Sequence, residues 1–154
     1  ERIRRAGQKI KTDYTNSSFD YGFRVLKLDS SNMQDVYYNP KAMQQSLLDA
    51  TVDNIKEDRT PEDLLFQVMI SLGIDLSSQI AVNTVAGKTY YTVNENDIIA
   101  CFDDNLTNEV ITEIAKLQPV YAVFKDKSFA TDSVGINNEQ LFKTYSPNTT
   151  IKVL

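Results

Sequence analysis

Ile98-Ile99-Ala100-Cys101-Phe102 is apolar at every position, the mark of a strand buried on both faces. From this run onward the pattern alternates. A helix is expected from about Thr107 to Leu117, with Val110, Ile111, Ile114 and Leu117 as its apolar stripe. A strand Val120–Phe124, a helix Asn137–Tyr145 and a strand Thr150–Leu154 complete the series. Strands alternating with helices in short units require crossover connections, so the reading is an α/β fold with a mainly parallel sheet covered by helices.

Upstream of the apolar run, Ile80–Val85 and Lys88–Val93 flank Ala86-Gly87 and predict a β-hairpin, which would make the sheet mixed. Two helices are expected before it. Asn39-Pro40 starts one that carries Met43, Leu47, Leu48, Val52 and Ile55 and runs to about Asp58. Thr60-Pro61-Glu62-Asp63 starts the other, Leu64, Leu65, Val68, Met69 and Leu72 form its stripe, and Gly73 can end it. The two stripes should pack together.

In Gly22–Tyr38, Phe23, Val25 and Leu28 alternate with Arg24 and Lys27, which predicts a half-buried strand stopped by Asp29-Ser30-Ser31-Asn32. Residues 1–12 form an amphipathic helix, with Ile3, Ala6 and Ile10 on one face and Arg2, Arg5 and Lys9 on another. Asp13–Tyr21 reads as a linker. The expected organisation is a trailing helix at 1–12, a linker at 13–21 and an α/β domain at 22–154, a piece of a longer protein.

Composition narrows the chemistry. With no histidine and a single cysteine, Cys101, the chain lacks the usual zinc ligands, the usual general base and any internal disulfide. No apolar run approaches the roughly 20 residues of a membrane span, and a cytoplasmic protein with no membrane partner is expected. Charge is uneven. Residues 1–12 hold five basic side chains against Glu1, while the other 142 residues carry 11 basic and 20 acidic ones. An acidic body of this kind repels phosphate backbones on average.

Several blocks carry a family resemblance. Glu1-Arg2-Ile3-Arg4-Arg5-Ala6-Gly7, Gly22-Phe23-Arg24-Val25 with Lys27-Leu28-Asp29-Ser30-Ser31-Asn32-Met33, Asn54 through Leu65, and Phe129, Asp132 and Ile136 through Phe142 resemble the C-terminal part of Mod subunits of type III restriction-modification systems. The resemblance implies a parent DNA methyltransferase that moves a methyl group from S-adenosylmethionine to adenine N6 at a specific site. Its implied partners are a second Mod subunit, the Res helicase-nuclease and DNA. Residues 1–12 would then be the trailing helix of the methyltransferase core, and 22–154 a C-terminal accessory domain. No catalytic or cofactor motif of that family lies in this chain. Pro40, Pro61, Pro119 and Pro147 are all isolated, so there is no Asp-Pro-Pro-Tyr, and no two glycines form a Gly-x-Gly turn. Neither catalytic nor cofactor-binding residues are therefore assigned here.

The weak candidates for a metal site are Asp103, Asp104, Asp126 and Asp132, placed after strands where open α/β sheets put ligands; they are the Mg²⁺ reading. The commoner alternative makes Asp103, Asp104 and Asn105 caps of the following helix. Arg2, Arg5 and Lys9 are candidate DNA phosphate contacts, against a plain solvated face. Tyr37-Tyr38 and Tyr90-Tyr91 read as packing aromatics ahead of base-stacking ones, and Cys101 as an inert buried thiol. Three functions compete: a scaffold for Mod dimer, Res or DNA engagement, a metal-dependent phosphoryl-transfer domain, and a DNA-binding module. Only the scaffold accounts for the missing motifs, the acidic charge and the resemblance together.

Overall fold

The computed structural model describes residues 1–14, 22–34, 55–129 and 131–154, which fall into two compact units, Glu1–Ser30 and Ser31–Leu154. The first unit contains helix α1 (Arg2–Asp13) and an irregular segment from Gly22. The predicted helix is present, but the predicted half-buried strand at 22–28 is not. Residues 22–29 are irregular and exposed, with Val25 at 72% and Leu28 fully open. Alternation describes which side chains suit a pleated surface, and a strand forms only where a neighbour completes the ladder.

The second unit is an α/β layer structure. Helix α2 (Pro61–Leu72) leads to the hairpin β1 (Ile80–Val85) and β2 (Lys88–Val93), then β3 (Ile98–Cys101), α3 (Asn108–Lys116), β4 (Tyr121–Phe124), α4 (Asp132–Tyr145) and β5 (Thr150–Val153). The five strands lie side by side in chain order. β1, β2 and β3 pair antiparallel, whereas β3, β4 and β5 pair parallel, so the sheet is mixed as expected. Because β3, β4 and β5 advance in one direction, both crossover helices pack on the same face.

That face buries Ile99, Cys101, Ala122 and Phe124 against Val110, Ile111, Ile114 and Ala115 of α3 and Phe142 of α4. The opposite face buries Val93, Ile98, Ala100 and Val123 against Leu64, Leu65, Val68 and Met69 of α2. β3 is thus covered on both sides, which explains its unbroken apolar run. Tyr90 packs against the α3/α4 face and Tyr91 against the α2 face, so both serve as packing aromatics. Tyr37 and Tyr38 lie outside the described residues.

Local signals set the ends of these elements. Thr60 caps α2 by accepting from the Asp63 amide at 3.2 Å, while the Asp63 carboxylate accepts from the Thr60 amide at 2.9 Å. Gly73 closes the helix at φ 69°, in the left-handed region where a side chain is strained. Ala86 (φ 47°) and Gly87 (φ 77°) form the two-residue turn between β1 and β2.

Two helix boundaries differ from expectation. α4 begins five residues earlier than the apolar pattern suggested, because Thr131 accepts from the Val134 amide and starts it there. The helix expected from Asn39 lies largely outside the described residues, but its expected end does not hold. Ile55 bridges Met33 as an isolated antiparallel pair, and residues 56–60 are turn and irregular chain. Among the described residues, no helix is long and apolar enough to cross a membrane.

Candidate functional site

The parallel strands deliver three of the four candidate acids to one end of the sheet. Asp103 and Asp104 follow β3, and Asp126 follows β4 after Lys125. Each of the first two is committed to the fold. Asp103 Oδ2 accepts the Thr89 amide at 2.7 Å, just where β2 extends beyond the last paired residue of β3. Cys101 Sγ sits 3.2 Å from the Thr89 carbonyl and satisfies the other half of that residue. Two side chains therefore finish the ladder where backbone has run out.

Asp104 is held differently. Its carboxylate pairs with Lys125 Nζ at 2.9 Å, while its carbonyl accepts Lys88 Nζ at 2.6 Å. Two lysines thus stand among the acids a divalent ion would need to gather. The loops are also tied together, since the Leu106 amide donates to the Ser128 carbonyl at 2.6 Å and Leu106 forms a parallel bridge with Phe129. Asp126 starts a short 3₁₀ turn and its amide donates to the Leu154 carbonyl at 3.1 Å. Asp132 opens α4, and the placement of its side chain lies outside what is described. Among the described residues no three of the Cys, Asp and Glu side chains converge on a point that fits a metal ion.

The capping reading of Asp103, Asp104 and Asn105 is corrected by this geometry. The N-cap of α3 is Thr107, whose side chain makes no capping bond. Asn105 instead adopts φ 56° and turns the chain between β3 and α3. Cys101 is a buried thiol as expected. Burial is the leading cause that pushes it up to about 11 from an ordinary 9.0, and the neighbouring Asp103 carboxylate also opposes the thiolate. It stays protonated at neutral pH.

The cationic candidates lie in the other unit. α1 has no buried residue, and Ile3 and Ile10 are 63% and 45% exposed, so its apolar stripe is open to solvent. Arg5 pairs with Glu1 one turn earlier. A cleft of about 570 Å³ runs between α1 and the segment after Gly22, lined by Arg4, Gly7, Gln8, Lys11, Phe23 and Val25. It brings together Arg4 and Lys11, and not the Arg2, Arg5 and Lys9 row. The helical spacing of 4, 8 and 11 could have suggested that face from sequence, but the partner segment at 22–25 could not.

Two of the blocks singled out in the sequence meet in space. Met33 bridges Ile55, the Lys56 amide donates to the Asn32 carbonyl at 2.9 Å, and Asn32 Nδ2 donates to the Asp63 carbonyl at 2.9 Å. Gln34 Nε2 adds a bond to the Ile55 carbonyl at 3.3 Å. In the C-terminal block, Phe129 and Phe142 both pack on the Phe124 ring, with centroids 5.8 and 6.1 Å away. No family model matches this chain, and no curated protein sequence matches it either.

Proposed function

We propose that this chain is a non-catalytic scaffold domain from the C-terminal part of a type III Mod subunit. Its parent is a site-specific DNA adenine-N6 methyltransferase that uses S-adenosylmethionine, and the domain engages a second Mod subunit, Res or DNA. The observation that carries the reading is the meeting of two of the resembling blocks, around Asn32-Met33 and Ile55–Asp63. Segments 31–34 and 55–63, about twenty residues apart in sequence, hold each other by an antiparallel bridge, to which the Lys56–Asn32 backbone bond belongs, and by two side-chain bonds. Residues of these two blocks thus build one local structure, as expected of a scaffold. The engagement of Asp103 with the Thr89 amide and of Asp104 with Lys125 supports scaffold over phosphoryl transfer, since both carboxylates already serve the fold.

Two measurements test the proposal. The coding sequence of the parent should contain, ahead of Glu1, Asp-Pro-Pro-Tyr, a target-recognition insertion and Phe-x-Gly-x-Gly. A parent with neither motif refutes the family reading. In the parent, deletion of residues 13–154 should leave methyl transfer in place and weaken dimerisation, Res association or DNA retention. If light scattering, Res pull-down and DNA binding all stay at wild-type levels in a folded protein, the scaffold role is wrong.

A further inference from the structure

The two edges of the sheet are built differently. β5 is four residues long and carries Lys152, and both shortness and lysine are devices that keep an edge from pairing. β1 has neither. Its six residues, Ile80-Ala81-Val82-Asn83-Thr84-Val85, hold no charge and no proline, and the register with β2 is continuous, without a bulge.

The hairpin geometry fixes which backbone groups of β1 face outward. A two-residue turn makes its flanking residues, Val85 and Lys88, a hydrogen-bonded pair, and such pairs recur at every second residue. Asn83 with Tyr90 and Ala81 with Thr92 follow. The Asn94 amide reaching the Gln79 carbonyl at 2.9 Å continues the same series. Ile80, Val82 and Thr84 therefore direct their amides and carbonyls away from β2. Among the described residues, nothing pairs with this outer row. Val82 is 59% exposed and sits on the α2 face, opposite Tyr91.

We propose that β1 is a homodimerisation edge, on which a second copy of this chain adds its own β1 antiparallel about a two-fold axis through Val82. The strand is self-complementary in that register. Val82 lies opposite the Val82 of the other copy, and Ile80 lies opposite Thr84 on both sides of the axis. Each of these is a pair that exchanges both bonds, giving about six inter-chain hydrogen bonds. The side-chain pairs are β-branched with β-branched, a favourable combination, and no like charges meet. All these side chains fall on the α2 faces, so Val82 is covered by its own counterpart.

A second copy is favoured over a free peptide because its edge is already straightened by its own β2. A disordered segment would have to be ordered on binding. The inference is argued from strand geometry and deepens the scaffold reading by naming the edge on which a second copy pairs. A parent sequence that refutes the family leaves it standing, and failure of the edge leaves the family reading untouched.

Edge-to-edge pairing buries less than a standard interface, so light scattering should be followed up to about 1 mM protein. The expected result is a reversible monomer–dimer equilibrium. NMR-detected amide exchange should show an odd–even signature. Ala81, Asn83 and Val85 are protected at every concentration, while Ile80, Val82 and Thr84 gain protection as concentration rises. Val82→Lys places two ammonium groups face to face and should weaken the dimer by about tenfold or more. Circular dichroism checks that it folds, and exposed Thr84→Lys serves should Val82→Lys unfold. A protein that stays monomeric throughout overturns the proposal. So does a dimer that neither lysine weakens, or exchange at Val82 and Thr84 that ignores concentration.

Discussion

Asp103 accepts a backbone amide that has no other strand to serve it, whereas Asp104 pairs at the surface with a lysine while remaining 66% exposed. Removing the first acceptor strands a part-buried donor, and Asp103→Ala should cost about 1–3 kcal/mol. Losing an exposed ion pair is cheaper. Asp104→Ala should cost less than about 1 kcal/mol, and urea denaturation separates the two. Equal stabilisation by both substitutions would point instead to repulsive acids awaiting an ion. The role of Asp103 was not legible in the sequence, because it depends on β2 outrunning β3 by a fixed register. A pair of aspartates ahead of a helix reads as a cap when only local chain is considered.

Helix α2 shows what local chemistry does convey. Thr60, Pro61, Asp63 and Gly73 each act within a turn of their own position, so the start and stop of the helix were readable without its packing. Thr60→Ala removes the acceptor for the Asp63 amide and should lower stability by about 1 kcal/mol, within the usual range of cap losses. Thermal melts of this variant beside Thr60→Ser test it, as serine keeps the hydroxyl and should stay near wild type. If both substitutions are silent, the cap contributes nothing. The segment at 22–28 makes the contrast. Phe23, Val25 and Leu28 have strand-like spacing, yet pairing is a property of two segments, and seven residues do not name their partner. The hairpin was readable because its partner is two residues away.

At the scale of the whole molecule, every buried apolar side chain among the described residues lies between Leu64 and Phe142, inside the second unit. A chain starting at Ser31 keeps the Asn32 contacts and that entire core, so it should unfold cooperatively at nearly the midpoint of the full chain. Circular dichroism melts decide it, and loss of cooperative unfolding would show that residues 1–30 support the core. Removing them takes away seven basic and four acidic side chains, which moves the formal charge from −5 to −8. Strand order has a consequence in time as well. Because the order is β1-β2-β3-β4-β5, no strand has to be inserted between two others already placed. The hairpin closes over two residues, on a scale of about microseconds, and each later strand waits for a longer loop to close. A chain emerging from the ribosome can then grow the sheet from β1 toward β5, each new strand meeting an edge already laid down.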